Sequence, residues 1–134
     1  MGKPFVLRIM TPASVAYDGK ALSVTCPGSE GRFQVLFNHA PLLATLDIGR
    51  IDVETEDGGN IVFATGGGIA HVLWNEVVIL ADSAERPEQI DCARAQAALD
   101  RARRRLDHPT RDVDVERARA AMHRALNRLK LAGG

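Results

Sequence analysis

The chain has 134 residues, 46% of them hydrophobic and 25% charged, the composition of a folded protein and not of a disordered one. Seventeen basic side chains balance seventeen acidic ones and aromatics are 4%, which argues against a globally basic nucleic-acid binder and against a base-stacking platform. No apolar run approaches the roughly 20 residues of a membrane-spanning helix, and Met1-Gly2-Lys3-Pro4 lacks the plan of a signal peptide. A peripheral, cytoplasmic protein is expected, with Cys26 and Cys92 as free thiols.

Taken in chain order, the first two thirds read as strands. Phe5–Met10, Ala21–Cys26 and Ile51–Thr55 alternate apolar with polar residues in part, and Ile61–Ala64, Ile69–Trp74 and Val77–Leu80 are short apolar runs. Asp18-Gly19, Pro27-Gly28, Asp57-Gly58-Gly59-Asn60, Gly66-Gly67-Gly68 and Asn75 punctuate them as turns. Regular short strands with glycine-rich breaks predict an antiparallel sandwich or barrel, with the triple glycine as a hairpin turn and His71 as a structural strand residue. The triple glycine lacks the following Lys-Ser/Thr of a phosphate loop. The four histidines have no ligand spacing, and no serine sits in a nucleophile elbow. No catalytic centre is predicted.

The remainder reads as two helices. Pro87 suits a first helical position. Cys92, Ala95, Leu99, Ala102 and Leu106 form one apolar stripe, and Val115, Ala118, Met122, Ala125 and Leu129 form another. Asp107–Arg111, with Pro109, separates them, and Asp112 or Asp114 can cap the second helix. An antiparallel helical hairpin follows, with an alanine-rich seam that buries little area. Residues 1–89 carry six basic and eleven acidic side chains, while residues 90–134 carry eleven and six. A boundary is therefore expected within residues 82–89, giving a strand domain over 1–85 and a helical domain over 86–134. Asp91, Arg94, Arg101 and Arg105 line a second stripe on the first helix, and Arg117, Arg124 and Arg128 line one on the second. These arginines either cover the seam with their stems or converge on a bound polyanion.

At four places the sequence resembles the ε subunit of the rotary F-type ATP synthase. They are Pro27-Gly28-x-x-Gly31-x-Phe33-x-Val35-Leu36-x-Asn38-His39-Ala40-Pro41-Leu42, then Gly66-Gly67 with Val77-x-Ile79-Leu80-Ala81-Asp82, then Ile90-Asp91-x-x-Arg94-Ala95, and Arg124-Ala125-x-Asn127-Arg128-Leu129. The resemblance spans essentially the whole chain. It implies a β-sandwich of about ten antiparallel strands followed by a two-helix hairpin. It also implies a non-catalytic central-stalk subunit that couples γ to the c-ring at the cytoplasmic face of a bacterial inner membrane. The hairpin of such a subunit reaches the α and β subunits when extended and inhibits ATP hydrolysis. No cofactor is required, and ATP is implied as a regulatory ligand. Carried over by motif, Glu85, Ile90, Asp91, Arg94, Arg101, Arg124 and Arg128 are the ATP candidates. Arg32, Asn38, His39, Ala40, Pro41 and Leu42 are the c-ring candidates, although Arg32, Gln34 and Phe37 depart from the family pattern. Two competing readings are a free-standing nucleotide-responsive module and a nucleic-acid adaptor that uses the basic hairpin. A steep salt dependence of RNA or DNA affinity would mark the latter.

Overall fold

The computed structural model describes residues 2–133. It contains nine strands: β1 (Phe5–Met10), β2 (Val15–Cys26), β3 (Phe33–Val35), β4 (Leu42–Leu46), β5 (Gly49–Thr55), β6 (Asn60–Thr65), β7 (Gly68–Leu73), β8 (Glu76–Ala81) and β9 (Ala84–Glu85). A 3-10 turn (Pro87–Gln89) and two helices, α1 (Cys92–Asp107) and α2 (Val115–Gly133), follow. The chain forms two compact units, Met1–Arg86 and Pro87–Gly134.

In the first unit the hydrogen-bonded strand order is β4-β7-β8-β1-β2-β5-β6-β9, with β3 on β2. Leu46 and Val72, near one end of this path, share a single core with Ile51, Val53 and Phe63 near the other. A sheet whose ends bury the same core must fold over on itself, which makes the two layers of a sandwich. Alternation sets the faces: Phe5, Leu7 and Ile9 of β1 point inward, as do Ala70 and Val72 of β7 and Val77 and Ile79 of β8.

The corner between the layers is β2. Its first half pairs with β1, from Ala21↔Phe5 to Val15↔Met10, and its second half pairs with β5 and β3. The register shifts between Ala21 and Ser23, the irregularity by which a strand passes from one layer to the other. Asp18-Gly19, expected as a turn, therefore lies inside this long strand. Gly19 pairs with Leu7 and Asp18 with Arg8, whose side chains are 3.7 Å apart. Cross-strand pairing outweighs the local turn preference of the dipeptide.

Three further expectations are corrected. β1 and β8 run parallel, so the sandwich is not wholly antiparallel, while the nine strands described agree with the expected count of about ten. The triple glycine is not a hairpin turn, because β6 pairs with β5 and β9 while β7 pairs with β4 and β8. It is a crossover whose backbone packs closely against neighbouring strands, with the Asp82 N–H donating to the Gly67 carbonyl at 2.9 Å. His71 is exposed on the outer face of β7, between buried Ala70 and Val72, and has no core role.

In the second unit Pro87 opens the 3-10 turn and not the helix itself. Asp91 is the N-cap of α1, with φ −81° and ψ 99°, and its carboxylate accepts the Arg94 N–H at 3.0 Å. Of the two capping candidates for α2, Asp114 accepts the Arg117 N–H at 3.1 Å. Ala95, Leu99 and Ala102 of α1 are buried, as are Ala118, Ala125 and Leu131 of α2. The short connection over residues 108–114 makes the packed pair antiparallel. The predicted stripes hold in mid-helix and fail at their first positions, where Cys92 and Val115 are exposed at the helix ends. No helix among the described residues is long and apolar enough to cross a membrane.

Candidate functional site

The motif residues fall into three places. The first is one end of the sandwich. Asn38 has φ 64°, in the left-handed region that asparagine tolerates, so the chain reverses after Phe37. The Asn38 N–H donates to Asn75 Oδ1 at 2.9 Å, and the Val6 N–H donates to the Asn75 carbonyl at the same distance. Asn75 and Trp74 form the two-residue turn between β7 and β8, with Leu73 paired to Glu76 and Trp74 at φ 42°. One turn thereby locks the other. His39 Nδ1 lies 2.7 Å from the Ala40 carbonyl, and Lys3 sits 5.6 Å above the Phe37 ring.

Exposed Leu36, Leu43 and Trp74 border this end, and Leu43 is 70% accessible. Trp74 and the anchoring Asn75 escaped the motif reading. The available signal was a Trp-Asn dipeptide between two alternating strands, the pattern of a two-residue hairpin.

The second place holds Arg32, which the structure does not bring together with the Asn38–Leu42 turn. Arg32 precedes β3 and the turn follows it, while Gly28 bridges to Leu46 at the far end of β4 from Leu42. The five residues of β4 span about 13 Å. Arg32 instead folds back onto its own sheet. Nη1 donates to the Arg50 carbonyl at 3.0 Å and Nη2 to the Asp52 carboxylate at 2.8 Å, which Arg50 Nε also approaches at 3.0 Å. Two guanidinium groups on one carboxylate leave one excess positive charge. Cys26, on β2 across from Phe33, is buried, and burial pushes its thiol up to about 12 against the opposing pull of Arg32. It is inert packing, whereas Cys92 is exposed.

The third place is the base of the helical hairpin. Ile90 is buried, its N–H bonded to the Pro87 carbonyl at 3.2 Å, and the 3-10 turn packs on α2. Arg94 near the start of α1 and Arg128 near the end of α2 are equally far from the elbow, about 20 Å along their helices. Arg124 lies about 6 Å nearer the elbow and, like Arg128, is half-buried, while Asp91 and Arg94 are exposed. Arg94 and Arg124 form no ion pair among the described residues. Ile90, Asp91, Arg94 and Arg128 are thus placed at one end of the hairpin, with Arg124 about one turn inward. Arg101 is not among them: it lies about 10 Å further along α1. Glu85 belongs to the strand unit, where it pairs with Ala64.

A cleft of about 550 Å³ lies apart from the motif residues, around Tyr17, Thr55 and Asp57. Several of its polar groups bond to one another. The Tyr17 hydroxyl donates to the Lys20 carbonyl at 2.7 Å, and the Thr55 hydroxyl bonds to the Asp57 carboxylate, holding that acid below its ordinary value. Burial, with Asp57 and Glu56 nearby, raises the Tyr17 phenol. Among the described residues no group of His, Cys, Asp and Glu could hold a metal ion.

The family model for the β-sandwich domain of the ATP synthase delta/epsilon chain matches residues 4–87, and that for its long α-helix domain matches residues 88–133. The chain belongs to the ATP synthase delta/epsilon chain family. An ATP synthase epsilon chain of Desulforamulus reducens is 40% identical over 98% of this chain and 99% of its own length. That of Pelotomaculum thermopropionicum is 45% identical over 95% and 94%. A chain in the mitochondrial ATP synthase of Euglena gracilis, solved with its OSCP, F1 and c-ring, superimposes with a TM-score of 0.82 at 25% identity, over 98% of this chain and 82% of that one. The family supplies a non-catalytic stalk subunit of the complex, and this member has both of its domains.

Proposed function

We propose that this chain is the regulatory subunit of the central stalk, joining γ to the c-ring through its strand unit and restraining ATP hydrolysis through its helical hairpin. The observation that carries this reading is the family match across both units, from residue 4 to residue 133. The proposed seat of the complex is the cytoplasmic face of the bacterial inner membrane, with this subunit peripheral to it. Extended, the hairpin with its surplus of arginine would meet acidic surfaces of the α and β subunits. Closed, its base would bind ATP, with Arg94, Arg124 and Arg128 on the phosphates and Ile90 and Asp91 at the adenine. Asp91 would do so with one carboxylate oxygen already engaged as the helix cap.

Deleting residues 90–134 tests the division of labour. The truncated protein is expected to keep its sheet signal in circular dichroism and to assemble with γ, while the assembled enzyme loses inhibition. Lost sheet structure would mean that the halves fold as one cooperative unit. An intact sheet that no longer binds γ would place the assembly surface on the hairpin.

The Asn38–Leu42 turn is proposed to face the c-ring, with exposed Leu36, Leu43 and Trp74 beside it as apolar contact area. Arg32, paired to Asp52, would contribute its outward charge and not a flexible side chain. A cysteine replacing His39 is expected to crosslink to the c subunit in the assembled enzyme. Crosslinks to γ alone would move this turn onto γ, and crosslinks confined to α or β would reject the placement.

A further inference from the structure

The elbow of the hairpin carries a second group of arginines, separate from those at its base. Arg101, Arg104, Arg105 and His108 follow one another at helical spacings of three, one and three, so they share one face at the end of α1. Thr110 and Val113 of the connection lie beside that face, and together the six residues line a shallow cleft of about 360 Å³. The guanidinium groups of Arg101, Arg104 and Arg105 have no ion pair among the described residues. Arg8, Arg32, Arg50 and Arg119, by contrast, each sit against a carboxylate.

A neighbouring cleft shares Arg105 and Val113 but is lined by Asp112 and Asp114 as well. Its lining includes two carboxylates beside the two arginines. The first cleft has three arginines and no carboxylate in its lining. Basic residues in a last helical turn complement the helix dipole, which accounts for Arg104 and Arg105 being basic. It does not account for a third arginine, Arg101, lining the same cleft one turn back with no ion pair among the described residues.

We propose that this elbow cleft binds a compact multivalent anion, a di- or triphosphate group. Guanidinium forks offer paired donors to phosphate oxygens, and the Thr110 hydroxyl offers one more. Binding relieves the mutual repulsion of the three arginines, none of which has an ion pair among the described residues. The site is separate from the one proposed at the base, whose Arg94 and Arg128 lie about 20 Å and Arg124 about 13 Å from the elbow. A free inorganic anion and the phosphate tail of a nucleotide share this chemistry.

The test is an NMR titration of the full chain with tripolyphosphate, ATP and AMP, following the His108 ring and the Thr110 and Val113 amides. Tripolyphosphate is expected to shift these signals saturably, and AMP to leave them unmoved. ATP shifting them identifies a nucleotide tail as a source, whereas ATP leaving them unmoved restricts the site to the free anion. Arg104→Gln combined with Arg105→Gln is expected to weaken tripolyphosphate binding at least tenfold. Arg103→Gln, on the same helix but outside the cleft, is expected to change it less than threefold. If the double variant loses helix, Arg104→Lys with Arg105→Lys keeps the charge without the forked donors, and binding at least threefold weaker is expected. Equal losses in the Arg103 and double variants, undiminished binding by the lysine pair, or no saturable shift at the elbow would each overturn the site.

Discussion

Gly68→Ala is expected to destabilise the strand unit by about 3 kcal/mol or more, enough to consume much of a small domain's stability. Gly68 has φ +154°, a conformation that side-chain-bearing residues rarely adopt. A Cβ built there would lie 2.2 Å from the Leu80 carbonyl oxygen and 2.8 Å from the Ala81 Cα. Both atoms are backbone, so no rotamer change relieves the clash. Gly68 pairs with Leu46 on one side and Ala81 on the other, and moving it aside separates β7 from both neighbours. Gly58→Ala is the matched control: φ is +88°, but the added methyl meets open space. Conformational strain alone there costs about 1–2 kcal/mol. Urea unfolding followed by far-UV circular dichroism measures both. A Gly68→Ala protein within about 1 kcal/mol of the wild type would show that the crossover can re-route and that the close approach is not structural.

The second large effect concerns nucleotide and the hairpin. The α1–α2 seam contains four buried alanines and only two buried leucines, so it buries little apolar area. A ligand that binds the closed pair and not the open one stabilises it by about 2.7 kcal/mol at a hundredfold excess over Kd. ATP at that excess is therefore expected to protect the α1 and α2 amides in hydrogen exchange by about two orders of magnitude. Arg94→Ala and Arg124→Ala are each expected to weaken ATP binding tenfold or more, since a charge-assisted hydrogen bond contributes about 1.5–3 kcal/mol. In the assembled enzyme, inhibition would then persist to higher ATP. Unchanged ATP affinity in both variants would reduce these arginines to a solvated face. If affinity fell instead in the Arg104 and Arg105 variants, the triphosphate would be read at the elbow and not at the base. Equal affinity for closed and open forms would remove the switch even where binding is real.

Read from the chain alone, the elements that obey a strong local period were recoverable. β1 alternates over Phe5–Met10 because one face is core and the other is water. The mid-helix stripes held because a two-helix seam needs apolar residues every three or four positions. The charge contrast between residues 1–89 and 90–134 and the four family motifs also lie in the sequence itself, and with them the family. Long-range pairing decided the rest. Asp18-Gly19 reads as a turn until Leu7 and Arg8 pair across from it, and the triple glycine reads as a hairpin until its flanking strands join different layers. Partner strands are remote in sequence, so no local window contains the energy that selects them. Neither does the motif reveal that Arg32 is spent on Asp52, that Asn75 pins the Asn38 turn, or that Arg101 falls with Arg104 and Arg105 at the elbow and not with Arg94 at the base. Residue type set what chemistry each side chain could offer. Which groups meet is set by how far along a strand or helix they sit from the point where the chain turns back.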